Sequence, residues 1–237
     1  MKKMSVVTTV GLCAVTLSVT LAGCSTTKTE STPEASSAAS SAMPSNSAAP
    51  SSTMAGPDMP TGTNKTIADY VNDNKIIEAP FRKDEPGAPT FDFPTPPDWE
   101  LAGEQTPEWA YGAIVYQKAI NPADPPFITA IISKLTGDVD PAKILEYAPG
   151  LLQNLPGYTQ DGDVQTNTVS GFDAVQFQAS YLKGDERRYI AQETVVIPGK
   201  DGAVFVLQLN ADAPKDQGQV IRDAAKVINA DTKITVG

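Results

Sequence analysis

Residues 174–209 read AVQFQASYLKGDERRYIAQETVVIPGKDGAVFVLQL, and this stretch decides the fold. In AVQFQASYL, Val175, Phe177, Ala179 and Tyr181 share one side of an extended chain, the period-two pattern of a half-buried strand. Gly184 and Asp185 turn the chain into a second strand, predicted over 187–197. Pro198, Gly199 and Gly202 build the next turn. Residues 203–209 are apolar on both sides through most of their length, which places them in the middle of a covered sheet. Three strands on short turns make an antiparallel meander.

The flanking sequence supplies helices. On its N-terminal side, Thr66 with Asp69 three residues later is a capping-box variant, opening a short helix over 67–73. A short strand follows at 76–79. Residues 81–97 hold Pro86, Pro89, Pro94, Pro96 and Pro97 and read as loop, with PTFDF as an edge strand within it. Residues 111–117 and 126–136 are rich in β-branched and aromatic side chains and predict two more strands. Asp140 and Pro141 start a helix with proline at its first position. Ile144, Leu145, Ala148, Leu151 and Leu152 recur at helical spacing, and Pro149-Gly150 predicts a break among them. A further strand is expected at 163–169. In the C-terminal helix, Val220, Ala224 and Val227 beside Ile221, Ala225 and Ile228 form one apolar stripe. TKITV (232–236) closes the chain as a short strand. Helices before, within and after an antiparallel sheet give an α+β class with α/β/α layers, in a single domain over 65–237.

The first 64 residues have another character. A basic start and an uncharged apolar run over 6–23 predict a signal peptide at 1–23. Leu21-Ala22-Gly23-Cys24 resembles the bacterial lipobox, which implies cleavage before Cys24, a diacylglyceryl group on its sulfur and acylation (palmitate in kind) of the new terminus. An uncleaved membrane anchor is the competing reading. Residues 24–64, mostly Ser, Thr, Ala and Pro, lack the large apolar groups that offset ordering entropy. They are expected to form a tether about 35 Å long on average, of a composition that accepts O-glycans. The expected location is outside the cell, held by lipid to the outer face of the cell membrane or displayed on the cell surface.

Composition removes several chemistries. The chain has two cysteines and no histidine. Cys13 leaves with the signal and Cys24 carries lipid, so no disulfide can form in the processed chain. Serine–histidine and cysteine–histidine catalysis are excluded, as are the common zinc sites. A formal charge of −10 argues against nucleic acid and against docking on anionic headgroups by charge. Asp138 and Asp140 are two oxygen ligands at most, too few for a calcium loop, and fit the acidic start of a helix. Ser133-Lys134 are adjacent rather than three apart. Residues 185–188 read as a solvated hairpin tip. A pair of carboxylates distant in sequence stays open as a hydrolase option, but the expectation is a protein that is not an enzyme and carries no cofactor or metal.

The blocks TIADYVNDNKI (66–76), GAPTFDFPTPPDW (87–99), YGAIVY (111–116), SKLTGDVDPAKILEYAPG (133–150), NLPGY (154–158) and TVVIPGKDGAVFVLQLNADA (194–213) closely resemble the LpqN/LpqT lipoprotein family of mycobacteria and related actinobacteria. The resemblance implies a Mog1/PsbP-like fold, an antiparallel sheet with helices on both faces. It also implies a setting among trehalose glycolipids, the proteins that export envelope lipids and, in pathogens, host proteins. It transfers no catalytic motif. The expected role is non-catalytic binding of envelope lipids or envelope transport proteins in support of lipid transport, by a monomer. A protein–protein adaptor or host-contacting surface lipoprotein without lipid binding is the alternative. Aromatic faces stack on sugars and cover acyl chains, so Trp99, Trp109, Tyr111 and Tyr147 are the candidate ligand-binding residues. The first three lie around the proline-rich loop and the strand after it. Tyr147 lies at the Pro149-Gly150 break, a second possible mouth. Core packing is the competing role for each ring, and Tyr111 and Tyr116 cannot share a strand face.

Overall fold

The computed structural model describes residues 62–83 and 85–237. The predicted signal peptide, Cys24 and all of the predicted tether except its last residues, 62–64, lie outside them.

The domain opens with α1 (Ile67–Asp73), whose N-terminus is closed as the sequence predicts: Thr66 Oγ1 accepts from Asp69 N–H at 3.1 Å, and Asp69 Oδ2 accepts from Thr66 N–H at 2.9 Å. Two orphan helix-end donors are thereby satisfied. Then come β1 (Ile77–Pro80), β2 (Thr90–Asp92), β3 (Trp99–Leu101), β4 (Gly112–Tyr116) and β5 (Phe127–Thr136). Asp140 caps α2 (Pro141–Tyr147) by accepting from Ala142 N–H at 2.9 Å. The chain breaks at Pro149 and resumes as α3 (Gly150–Gln153). Next are β6 (Thr159–Gln160), β7 (Gln165–Val169), β8 (Phe172–Lys183), β9 (Glu186–Pro198) and β10 (Val204–Pro214). A 3-10 turn at Lys215–Gln217 leads into α4 (Gly218–Asp231), and β11 (Lys233–Thr235) ends the chain.

β8, β9 and β10 form the expected meander in the middle of a mixed-length antiparallel sheet ordered β3-β4-β5-β10-β9-β8-β6, with β1 also on β5 and β7 also on β8. The β7–β8 turn is two residues long, Ser170 at φ 54° and Gly171 at φ 84°, the two left-handed positions a type I′ hairpin requires. β2 and β11 make a separate two-stranded ribbon.

Register divides the sheet into two faces. Val196, Val206 and Leu135 face α1 and α2 and pack with Tyr70, Val71 and Ile144, while Val175 and Phe177 pack with Ala148 and Leu152 at the helix break. The opposite face carries Ile128, Val195, Ile197, Phe205, Leu207 and Leu209 against Ile221, Ala224 and Ile228 of α4 and Ile234 of β11. The result is α+β with three layers, helix, sheet and helix, and the helices on both faces that the family resemblance implies.

Two boundaries differ by more than two residues from the sequence reading, which ends a strand at 209 and starts the last helix at 214. β10 runs to Pro214, because Ala211 and Ala213 continue the buried side while Asn210 and Asp212 continue the other. α4 consequently starts at Gly218. β3 and β6, three and two residues long, carry too little pattern to be visible in the sequence.

Candidate functional site

The four candidate rings do not converge. Trp99 is 4% exposed and packs at 5.5 Å on Tyr116, within the α4-side core. Tyr111 precedes β4 and, 37% exposed, completes a ledge of rings with Phe81, Phe91 and Phe93 at centroid separations of 5.5 to 6.1 Å. Trp109, 49% exposed, sits just before it in the β3–β4 connection. Tyr147 lies on the opposite face of the sheet, 5.8 Å from Tyr70 and beneath Lys65 and Lys143. The helix break beside Tyr147 is filled by packing: Ala148, Gly150 and Leu152 are all buried.

Open volume lies elsewhere, between α4 and the outer strands β7 and β8, where a cleft of about 200 Å³ opens. Its origin is in side-chain size. Toward the cleft α4 presents Ala225 between Ile221 and Asn229, and the sheet presents Ala191, so helix and strands stand apart. β8 lays Gln176 and Gln178 on the cleft floor, and β7 adds Gln165 and Asn167 on the same side. Arg222 and Lys226 form the lip on α4, with Asp163 opposite. Tyr189 walls one end. Its hydroxyl donates to Gln178 Oε1, its ring lies 5.1 Å from the Arg222 guanidinium, and burial pushes its phenol pKa up.

A narrower crevice of about 30 Å³ continues from this cleft beneath α4, among Ile128, Leu209, Ala211 and Ile228. Glu193, 4% exposed, lines the crevice beside Gln176 and Asn229, which line the cleft as well. Its Oε1 accepts from Asn167 Nδ2 at 2.9 Å and from Asn229 Nδ2 at 3.0 Å. Burial pushes its carboxyl above the usual carboxylate range, against the pull of those two amides.

Chemically, the cleft offers carboxamides, which donate and accept at once, with an aromatic wall and two cations at the lip, and a buried acid lies next to it in the crevice. That inventory suits a polyol. None of these residues was singled out from the sequence. Gln176 and Gln178 alternate with Val175 and Phe177, and a period of two assigns them to the other face without saying what covers it.

Comparison with known proteins places this architecture. Residues 63–235 match the family model described as probable lipoprotein LpqN. Lipoprotein LpqN of Mycobacterium tuberculosis is 54% identical over 228 residues, spanning 96% of this chain and 98% of that protein. The crystal structure of LpqN involved in cell envelope biogenesis of M. tuberculosis is similar at TM-score 0.68 and 53% identity, covering 73% of this chain and 99% of that one.

Proposed function

The chain belongs to the LpqN lipoprotein family, and from that premise we propose that it is a non-catalytic, lipid-anchored binding protein of the cell envelope that takes the sugar head of a trehalose-type glycolipid in the α4 cleft. The carrying observation is the carboxamide floor beside the apolar crevice. Volume limits what enters. Pockets that enclose a drug-sized ligand run from about 300 to 1,000 Å³, and this cleft has about 200 Å³. The crevice, about 30 Å³, holds no more than about two waters. The cleft takes part of a sugar head, and neither space takes a mycolate chain, so the acyl chains stay outside the domain. In this reading the protein assists transport by holding heads near their export machinery. Anchoring through Cys24, a signal peptide at 1–23 and a tether at 24–64 belong to the same proposal, as does a place on the outer face of the cell membrane.

A second reading, docking of a protein partner, is favoured by the β3–β4 connection. Leu101 and Trp109 are exposed there among the exposed acids Glu100, Glu104 and Glu108, which suits a basic and apolar partner surface.

The test is a titration of the domain, residues 62–237, with octanoyl trehalose. Saturable binding that Gln176→Ala abolishes supports the cleft. Loss in Trp109→Ala alone moves the site to the aromatic ledge. No saturable binding by the wild type removes the glycolipid reading in favour of the adaptor. Mass analysis of the recovered ester checks that it is returned unchanged.

A further inference from the structure

Glu193 is a carboxylate buried without a counter-charge: among the described residues no Lys or Arg forms an ion pair with it. Its neighbours are the amides of Asn167 on β7 and Asn229 on α4, both spending their Nδ2 on the same oxygen, Oε1. The second oxygen, Oε2, accepts no hydrogen bond from any described residue. The arrangement also leaves Asn167 Oδ1 and Asn229 Oδ1 buried without a donor. An acid held in this way, with one oxygen anchored and the other unengaged where the crevice adjoins the cleft, is set for a donor that the chain does not supply.

We propose that Glu193 is the specificity-determining residue of the cleft, its Oε2 accepting a hydroxyl of the sugar head where the cleft adjoins the crevice. The inference rests on the glycolipid reading and adds a chemical requirement to it: the ligand donates a hydroxyl at that junction, and the carboxylate form receives it. A charge-assisted hydrogen bond of this kind is about twice as strong as a neutral one. The other titratable groups of the cleft do not compete for the role. Lys226 Nζ is taken by Asp223 at 3.0 Å, Arg222 lies 3.9 Å from Asp161 and stacks on Tyr189, and Asp163 is at the outer rim. None of them contributes to the upward displacement of Glu193, which comes from burial. Acidification therefore removes the acceptor before the ordinary surface carboxylates titrate.

The experiment measures octanoyl trehalose affinity of wild type and Glu193→Gln across a pH series from about pH 7 to about pH 4. Glutamine keeps the shape and an oxygen for the two asparagines while removing the charge. The expected result is that the variant binds on the order of tenfold more weakly at neutral pH and with little pH dependence, whereas the wild type weakens toward the variant on acidification. In the wild type itself, the Glu193 carboxyl carbon followed by NMR should titrate at lower pH when the ester is bound, a readout independent of any substitution. Equal affinity of the two proteins, a flat wild-type profile, or a Glu193 titration unmoved by ligand overturns the role of Glu193 while leaving the glycolipid reading standing. Absence of wild-type binding at every pH overturns both.

Discussion

A methyl group placed on Gly218 would come within 2.7 Å of Tyr189 Cδ2. The first residue of α4 and the aromatic wall of the cleft are therefore packed backbone to ring, with no room for a side chain. In an exposed helix interior, alanine is favoured over glycine by about 1 kcal/mol. Here the clash wins, because Tyr189 is 2% exposed and its hydroxyl is tied to Gln178. Gly218→Ala is expected to cost about 1–3 kcal/mol, lowering the melting temperature, and to weaken octanoyl trehalose binding by displacing the ring. An unchanged melting curve would show that Tyr189 yields freely.

Glu193→Gln is expected to stabilise the domain at neutral pH while impairing binding. The folded-state pKa of Glu193 is raised, so the fold favours the neutral acid. The stability it lends is fully present below the unfolded pKa and is lost as pH rises through the folded pKa. The variant's advantage should therefore be largest near pH 7 and should vanish near about pH 3. Thermal unfolding of both proteins across that range checks the sign; a variant less stable at neutral pH would contradict it.

Thr66→Ala removes one half of the capping box. The expected loss is about 1 kcal/mol. Asp69 shows the companion pH effect with the opposite sign. Its hydrogen bonds to Thr66 lower its pKa below the ordinary value, so the stability it lends is present above the unfolded pKa and is lost as pH falls through the folded one. Denaturant titrations should show the gap between Thr66→Ala and wild type narrowing in acid, as the hydroxyl's bond to the Asp69 carboxylate weakens, without closing, because Thr66 Oγ1 still accepts from Asp69 N–H.

Arg188, 2% exposed, is held by three carboxylates, with Glu186 Oε1 the most distant at 3.3 Å. Nε donates to Asp212 Oδ1 at 2.7 Å, and the two terminal nitrogens donate to Asp124 at 2.6 and 3.1 Å. Asp212 also accepts from the Tyr181 hydroxyl at 2.6 Å. Asp212→Ala thus removes the Nε partner of a buried cation and the partner of a phenol together, and should cost about 2–3 kcal/mol. Asp124→Ala leaves Asp212 in place and strands no phenol, so it should cost less. Reversal of that order in urea denaturation would place the weight of the cluster on the segment after β4 instead.

The layers were legible in the sequence because large apolar side chains wrote them at a clear period. Phe177 and Tyr181 on one strand, Ile144 and Leu152 on the broken helix, and Ile221 and Ile228 on α4 each announce a buried side. The candidate site was not legible for the same reason. Gln176 and Gln178 obey the alternation as solvent-facing residues do, and only the tertiary placement of α4 over them turns that face into a floor. Glu193 was hidden within RRYIAQETVVI, where an isolated acid in a strand has no local signature of burial. Trp99 and Trp109 drew attention by residue type, yet the chain places one in the core and the other at its rim.

The entry of the chain into the domain has a mechanical consequence. Asn64 and Asn154 are joined by three hydrogen bonds of 2.9 to 3.1 Å, and a side chain on Gly150 would fall 2.0 Å from the Lys65 carbonyl oxygen. The first described residues are thus clasped to α3, on the side of the sheet opposite α4. Traction applied from upstream is borne by that clasp and by α1, and the long strands of the meander stand between it and the cleft. A load entering the domain at residue 62 therefore reaches α4 and the cleft last.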